Sequence, residues 1–514
     1  MPRLRLDPGV SLTVLARTDT ARDHDEDWGC GLQGEASARV RHAAKPLVAR
    51  IRKLGEKRAL AQAGALVRAL EKTPRYAALC EGTERVGGRR RLREEIVFPR
   101  AIEMPRAVHL RRGVAGLDVA LEPEEWSEAA ELFGALTAGA TPRELEAFAR
   151  RSEALAEMLG ALSGAGWLVP AGERVAVPPG GVLFAGHNTV VVAGRRARVL
   201  VDPWIRPDTA DDRDYHPLQP ADLPPVDAIV ITHSHGDHFH AGSLLAFGRD
   251  VRIFVPDVSR ESLLSSDLKT RLRMLGFRRV EALPWWKSAK VGDVEITALP
   301  FYGEQPWRGK PLYDGLWNEG NTYRVRTADL SCAFLADSGS DVRGDMVDVA
   351  RRVRRSGKVD VVFTGIRGFR IAPLFYGFTT VDAFFVNVPL SHLTEKQQLM
   401  NDAKDALETA DAFGARWVVP YADGGAPWYW REGMGPGYPG YTGDALREAS
   451  RFHAEDPDSD PFPERLAEER ARRKKGAEAL LLRPGDAVRF DRARPRITRV
   501  PGFAWPFGQP RRAG

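Results

Sequence analysis

Three histidines and an aspartate lie within six residues of this chain, in the run HSHGDH at residues 233–238. An apolar, strand-like run at 227–232 precedes them, which predicts that the cluster stands at the end of a buried strand. Burying so many polar groups without compensation is costly, and imidazoles together with a carboxylate suit a transition metal. The run therefore predicts a metal centre. Its candidate ligands are His233, His235, Asp237 and His238.

The elements that would position this cluster have the pattern of a layered α/β domain, which we place at residues 176–500. Short β-rich runs separated by Gly, Pro and Asp predict strands at 182–184, 189–192, 198–201, 227–232, 251–255, 294–299, 332–336, 359–363 and 417–420. Helical segments lie between several of them. One is predicted to begin at a capping box at Thr394 and to end at Gly414.

Two further regions precede this domain. Residues 106–175 predict a helix from Pro123, a second helix capped by Thr141, a third over 152–163 and then a short strand. This order resembles a winged-helix module of the PqqD-like, peptide-binding type; a helical packing or dimerisation domain is the alternative. Residues 1–105 are rich in Arg and Ala, with a helix near 43–72, and show no residue pattern that indicates chemistry.

Composition narrows the function classes. The chain has 514 residues, of which 43% are hydrophobic and 28% charged. A chain of this length and composition can form two or three hydrophobic cores. The net charge of +6 is spread along the chain, so dedicated nucleic-acid binding is not indicated. Three distant cysteines predict neither disulfides nor a thiolate zinc site. With no signal-peptide pattern and no membrane-length apolar run, we expect a cytoplasmic protein.

The HxHxDH run is the signature of the metallo-β-lactamase fold superfamily, which this chain resembles over roughly residues 180–490. The resemblance implies an αββα sandwich in which His233 and His235 bind one metal, and Asp237 and His238 bind a second. Supporting motifs are Gly186-His187-Asn188, Val201-Asp202-Pro203 and Ala336-Asp337-Ser338-Gly339. Asp337 would bridge the two metals. His187 and His240 would support the ligands rather than bind metal.

One ligand departs from the pattern of the family's hydrolases, which have a further histidine before the bridging aspartate. No histidine lies between His240 and Asp337, and Glu304 is the candidate in its place. This replacement resembles the CmlA-like branch, diiron oxygenases that β-hydroxylate an amino acid tethered to a peptidyl carrier protein. A site with more carboxylate is harder and favours iron over zinc, which has no redox chemistry.

Two residues are candidates for the last metal ligand. The family supplies a histidine after the strand at 417–420, but here the chain reads Tyr421-Ala422-Asp423. Asp423 is favoured by position, and His392 is the alternative. His392 follows a long aromatic loop at 370–391, a candidate lid. An aromatic pocket wall is predicted from Trp285, Trp286, Trp307, Trp317 and the Trp428-Tyr429-Trp430 run.

The resemblance implies a diiron oxygenase that uses two iron ions and dioxygen, with Asp237 and Glu304 as catalytic carboxylates. Its substrate would be presented by a carrier protein or peptide, and its electrons would come from an external donor. No nucleic-acid or membrane partner is expected, and a homodimer stays open. Two alternatives remain: a dinuclear zinc or manganese hydrolase cleaving a phosphodiester, lactone or amide, and a non-enzymatic binding protein with a decayed site.

Overall fold

Two β-sheets pack face to face in the second half of the protein. A computed structural model describes residues 2–16, 35–112, 115–205, 218–379, 381–422, 464–482, 484–490 and 495–499. The first sheet runs, in spatial order, through Arg279–Ala282, Arg252–Val255, Ala228–Val230, Arg198–Val201, Thr189–Ala193, Gly181–Gly186, Asp486–Phe490 and Pro495–Arg499. The second runs through Ser288–Val291, Val294–Pro300, Asn321–Arg326, Ser331–Phe334, Val361–Thr364, Trp417–Pro420 and Glu478–Ala479.

Side-chain alternation along the strands explains the layers. In the strand Gly181–Gly186, Val182 and Phe184 join the core between the sheets, whereas Leu183 and Ala185 pack outward against helices. The first sheet is covered by helices that include Ala241–Leu245 and Leu268–Met274. The second is covered by Met346–Ser356, Ala403–Phe413 and Glu464–Ala471. The predicted α/β sandwich with helices outside both sheets is confirmed.

The N-terminal module supplies further helices outside the first sheet. Its helices are Glu125–Ala138, Pro142–Ala149 and Glu153–Gly164, as predicted. The Thr141 hydroxyl accepts a hydrogen bond from the Glu144 amide, so the predicted capping box is present. Two small sheets lie in this region. One contains Ser11–Leu15, Ala107–Arg112 and Ala115–Ala120, and the other pairs Leu4–Leu6 with Leu168–Pro170. Residues 2–16 therefore pack with this module.

Residues 35–98 form a helical unit that shares a core with residues 369–400. Its elements are Glu35–Leu54, Glu56–Ala61, Ala63–Leu70, Pro74–Leu79, Glu94–Val97 and the hairpin Arg85–Val86 with Arg89–Arg90. The buried Arg89 guanidinium donates to the carbonyls of Phe385 (2.5 Å) and Val388 (2.8 Å). These bonds tie the helical unit to the segment at 381–400.

The loop at 370–391 differs from the expected lid. Its described parts, 370–379 and 381–391, form short 3-10 turns, and Phe375, Tyr376, Phe384 and Phe385 are all buried in the shared core. The turns are Pro373–Phe378, Asp382–Asn387 and Leu390–His392, with a strand Arg370–Ile371 paired to Gln397–Gln398. Because its aromatic side chains are already packed, this segment is a fixed wall, named here the aromatic wall.

The predicted helix start at Thr394 is wrong. The helix begins at Ala403, and Asp402 caps it by accepting a hydrogen bond from the Asp405 amide at 2.9 Å. Residues 397–398 are committed to the short ladder with Arg370–Ile371, so helical structure cannot begin before them. Gly414, with φ of 70°, ends the helix as predicted.

The rest of the described chain adds small elements, namely the 3-10 turn Pro220–Asp222 and the hairpin Ser340–Asp341 with Gly344–Asp345. Within the described ranges no helix has both the length and the apolar character needed to cross a bilayer. Cys80 and Cys332 are buried free thiols, and Cys30 lies outside the described residues.

Candidate metal centre

The predicted metal-binding residues lie in loops that follow strands of both sheets. The HSHGDH run follows Ala228–Val230 of the first sheet. Glu304 follows Val294–Pro300 and Asp337 follows Ser331–Phe334, both in the second sheet. Because Gly320 bridges His233 in an antiparallel contact, loops of the two sheets meet at this point. The sandwich therefore brings residues more than 100 positions apart in sequence into one site.

One group of potential ligands combines His233, His235, Glu304 and Asp337, all buried, with ligand atoms within 4.8 Å of one another. His235 Nδ1 lies 3.0 Å from Glu304 Oε1. His233 Nε2 lies 3.4 Å from Glu304 Oε2 and 3.9 Å from Asp337 Oδ2. Glu304, which is predicted to replace the further histidine of the hydrolases, therefore lies beside the two imidazoles with which it is expected to bind a metal.

A second group combines His187, Asp237 and His238. His187 Nε2 lies 2.9 Å from Asp237 Oδ2, and His238 Nε2 lies 3.7 Å from the same oxygen. Asp337 Oδ2 is 3.4 Å from His238 Nε2 as well as 3.9 Å from His233 Nε2, so it lies between the groups. This is the place that a bridging carboxylate requires.

The donor atoms fit a dinuclear metal site. Nε2 of His233, Nε2 of His238 and Oδ1 of Asp337 are buried without a hydrogen-bond partner in the described structure. Leaving a buried polar atom unsatisfied costs about 1–3 kcal/mol, so three beside one another need an explanation. Metal ions bound by the two groups would satisfy these atoms.

Burial and neighbouring charges set the protonation states of these groups. Burial and the neighbouring His238 and His235 rings hold the pKa of His233 well below its usual value, so its ring is neutral. Burial alone would raise the pKa of Asp237, but His238 and His187 hold it below the usual range and keep the carboxylate ionised. Burial raises the pKa of Glu304 to about 7, with His235 opposing and Asp337 adding to the effect.

Metal binding should therefore release protons and strengthen with pH. Glu304 of the metal-free protein holds its proton below about pH 7 and must lose it to bind a metal ion. Calorimetric titrations in buffers of different ionisation enthalpy should show more protons released at about pH 6 than at about pH 8. Glu304→Gln should reduce this difference without removing it, because burial lowers the pKa of His238 but the nearby carboxylates raise it overall, so this ring also loses a proton when it binds a metal. An affinity independent of pH across this range would contradict the assignment of Glu304 as a ligand.

Asp202 orients the ring of His238 through the Nδ1 atom of that ring. Its Oδ2 lies 2.8 Å from His238 Nδ1, while Thr232 donates to the same carboxylate from its amide and hydroxyl, each at 2.7 Å. A carboxylate on one ring nitrogen fixes the tautomer and leaves the other nitrogen for a metal. The Val201-Asp202-Pro203 motif thus has a direct role in aiming His238.

Backbone strain marks the same loops. His187, Asp202, Glu304 and Ala336 have φ values between 40° and 49°, a region that non-glycine residues seldom adopt. At Gly303 an added Cβ would lie 2.6 Å from the Gly339 amide nitrogen, so the Glu304 and Asp337 loops are in backbone contact. This contact explains why glycine precedes Glu304.

Glu304 has a support that the sequence did not indicate. The Asn318 amide donates to Glu304 Oε2 at 2.9 Å, and Gln305 Oε1 accepts the Asn318 backbone N–H at 3.0 Å. Asn318 is fully buried. It occupies a loop without a recognisable motif, so only the folded structure brings it to the metal centre.

Asn318→Ala should weaken metal binding by the group that contains Glu304, because the carboxylate loses the donor that orients it. We expect an affinity loss on the order of 10- to 100-fold, measured by competition with a chelator. Asn387→Ala is a matched control, since this buried amide donates to the Leu316 carbonyl at 2.9 Å. Equal losses in both variants would show a general effect of destabilisation rather than a role in positioning Glu304.

The two candidates for the last ligand have different outcomes. His392 joins neither group: its ring stacks on Trp307 at 4.1 Å, and its Nδ1 lies 3.0 Å from Glu395. Asp423 lies outside the described residues.

His187, expected only to support the ligands, instead stands among the potential ligands of the second group. The sequence motif that marks the position of His187 is Gly186-His187-Asn188. His240 caps the helix Ala241–Leu245 through Ser243.

The apolar surroundings of the centre also differ from the predicted tryptophan wall. The rings against the clustered imidazoles are Phe301 on His233 (5.1 Å), Phe384 on His235 (5.9 Å) and Trp204 on His187 (4.8 Å). The ring contacts of the predicted tryptophans are elsewhere: Trp285 with Tyr302, Trp286 with Arg352, Trp307 with His392 and Trp317 with Arg343. Trp428, Tyr429 and Trp430 lie outside the described residues.

Comparisons with known proteins concern the fold that carries this site. Residues 197–421 match the family model of the beta-lactamase superfamily domain. UPF0173 proteins of Pyrococcus furiosus and Pyrococcus abyssi are 26% and 27% identical over 187 and 201 residues. These alignments cover 36% and 38% of this chain and 70% and 83% of the relatives.

A solved structure extends the similarity to the N-terminal regions. CmlA, a diiron beta-hydroxylase from Streptomyces venezuelae, superposes with a TM-score of 0.57 at 20% identity. The match covers 97% of this chain and 100% of that one, so it includes the N-terminal regions as well as the sandwich. This chain therefore has a metallo-β-lactamase fold in which residues 197–421 match the beta-lactamase superfamily domain, and it shares its overall fold with CmlA.

Proposed function

We propose that this protein is a diiron oxygenase that hydroxylates or otherwise oxidises an amino acid presented by a carrier protein or peptide. The observation that carries the proposal is Glu304, whose carboxylate lies among His233, His235 and Asp337. The donor set of this group is two imidazoles and two carboxylates. Carboxylate oxygens are harder ligands than imidazole and favour iron in its higher oxidation states.

Two separate sets of donors would hold the two metals, and Asp337 lies between the sets. His233, His235 and Glu304 would hold one iron, and His187, Asp237 and His238 the other. When bound, the irons supply the electron transfer to dioxygen that no side chain in the site can provide. Asp202 and Asn318 keep His238 and Glu304 aimed at the metals. The rings of Phe301 and Phe384 pack against His233 and His235 and shield these imidazoles from water.

Support for the hydroxylation chemistry comes from the shared fold. CmlA is a diiron beta-hydroxylase, and the present chain superposes on it over nearly its whole length, including the N-terminal regions. The fold match supports the hydroxylation chemistry of the proposal, whereas the carrier-tethered substrate is only what the CmlA-like sequence resemblance implies. An external electron donor completes the scheme, because each hydroxylation consumes two electrons beyond those taken from the substrate.

The proposal is tested by oxygen consumption. The protein, reduced by dithionite under anaerobic conditions, is mixed with a panel of aminoacyl carrier proteins and isotopically labelled dioxygen. We expect oxygen uptake and one labelled oxygen atom in the carrier-bound product. His109→Ala is a control, since His109 pairs with Asp118 in the N-terminal sheet, and it should retain activity. Hydrolysis of a phosphodiester, lactone or amide by zinc- or manganese-loaded protein, without oxygen uptake, would support the hydrolase instead.

A further inference from the structure

A buried turn lies between two of the loops that carry metal ligands. It comprises residues 262–266, named here the serine turn, and it precedes the helix Leu268–Met274. The hydroxyl of Ser262 accepts hydrogen bonds from the amides of Leu264 (3.2 Å) and Ser265 (3.0 Å), and the Ser262 amide donates to the Ser265 carbonyl at 2.9 Å. All three serines of the turn are buried. These hydrogen bonds fix the shape of the turn.

The serine turn is also anchored by the helical unit. The Leu263 amide donates to the Val97 carbonyl of that unit at 2.9 Å. The side chain of Leu264 is fully buried in the core that the helical unit shares with the aromatic wall. Because the turn is held both by its own hydrogen bonds and by this packed core, it is a rigid support for the loops that contact it.

One contact of the serine turn reaches the HSHGDH run. The Ser266 amide donates to the Ser234 hydroxyl at 3.1 Å. Ser234 is buried and stands between His233 and His235 in the chain. A hydrogen bond at this position restrains the backbone that carries both imidazoles.

A second contact reaches the loop that supports Glu304. The Ser265 hydroxyl donates to the Trp317 carbonyl at 3.0 Å and accepts a hydrogen bond from the Glu319 amide. These two backbone groups flank Asn318, whose side chain donates to Glu304 Oε2 at 2.9 Å. The Ser265 hydroxyl therefore holds the backbone on both sides of the residue that orients Glu304.

We propose that the serine turn positions the ligands of one of the two metal ions, with Ser265 as the positioning residue that acts on Glu304 through Asn318. The turn contacts the loop of His233 and His235 and the loop that supports Glu304. These three ligands belong to the first group and lie on one side of the bridging carboxylate. This role rests on the metal centre of the proposed function and is the same whether the metals serve oxygenation or hydrolysis.

The second group has supports of its own. His187 Nε2 lies 2.9 Å from Asp237 Oδ2, and Asp202 Oδ2 lies 2.8 Å from His238 Nδ1. Loosening the serine turn should therefore weaken the binding of one metal ion, whereas loss of Asp337 should weaken the binding of both.

Titration of the full-length protein with ferrous iron under anaerobic conditions, in competition with a chelator, tests this role. Ser265→Ala should weaken the binding of one ion by about tenfold and leave the other at its wild-type affinity. Ser331→Ala is the matched control, because the buried Ser331 hydroxyl accepts from Arg324 Nε at 3.1 Å at the start of the strand Ser331–Phe334, and this variant should bind both ions normally. Unchanged affinity in Ser265→Ala, equal weakening of both ions, or the same loss in the control would refute the role.

The titration contains neither substrate nor dioxygen, so a failure of the oxygenase reaction does not alter its result. Wild-type protein that binds no iron would instead contradict the metal centre, and this role of the serine turn with it.

A double-mutant cycle with Asn318 separates positioning from general destabilisation. If Ser265 acts through Asn318, Ser265→Ala should change iron affinity by less than about twofold in the Asn318→Ala background. Ser234→Ala removes the acceptor of the Ser266 amide and should weaken the same ion through the other contact. Additive losses for Ser265 and Asn318 would overturn the positioning role of Ser265, and no loss in Ser234→Ala would overturn that of the turn, with the folding of each variant checked by circular dichroism.

Discussion

Asp337→Ala is expected to release both metal ions rather than one. Asp337 Oδ2 lies 3.9 Å from His233 Nε2 and 3.4 Å from His238 Nε2, so its carboxylate adjoins both groups. Removing it would deprive each group of an anionic donor and leave less negative charge to offset two metal ions. The affinity for each ion should fall on the order of 100-fold or more.

Metal content of purified Asp337→Ala, measured by plasma mass spectrometry, checks this result. The matched control is Asp345→Ala, which removes a nearby carboxylate that caps the helix Met346–Ser356 by accepting from the Val347 amide. This control should lose about 1 kcal/mol of stability and keep its metals. One full equivalent of metal retained by Asp337→Ala would mean that Asp337 belongs to a single ion.

Glu304→His should change which metal the protein selects. The variant has the imidazole that the family's hydrolases carry, so the first group becomes three imidazoles and one carboxylate. This softer donor set suits zinc, and iron content should fall by about tenfold in medium that supplies both metals. Glu319→Gln is the control, because Glu319 is a partly buried glutamate next to Asn318 that belongs to neither group, and its metal content should match the wild type.

An unchanged iron-to-zinc ratio in Glu304→His would show that Glu304 does not determine metal choice. The same protein offers a second readout, because the optical bands of bound ferric iron should decline together with the iron content. If zinc rises while the optical spectrum persists, the iron is held outside the two groups.

Residues that follow predicted strands could be assigned from sequence alone. The HSHGDH run and Asp337 come directly after buried strands, and Glu304 was inferred because no histidine was present where one was expected. The loops after those strands meet in the fold, as the antiparallel contact between His233 and Gly320 shows. Local patterns suffice where the fold itself brings strand ends together.

Other features depend on contacts that no local pattern encodes. Asn318 reaches Glu304 from a loop without regular structure, and His187 enters the second group through a strained turn at φ 47°. The aromatic run before His392 reads as a loop in sequence, yet residues 35–98 bury it as a wall. The helix at 403–413 begins late because residues 397–398 pair with a strand that sequence reasoning did not identify.

The metal content of the native protein tests the central claim most directly. The protein is expressed in medium with both iron and zinc, purified without added metal and analysed by plasma mass spectrometry together with Mössbauer spectroscopy. The donor set around Glu304 and Asp337 predicts about two iron ions per chain, with spectroscopic signs of a coupled pair. Stoichiometric zinc without iron would contradict the oxygenase and indicate a hydrolase on the same fold.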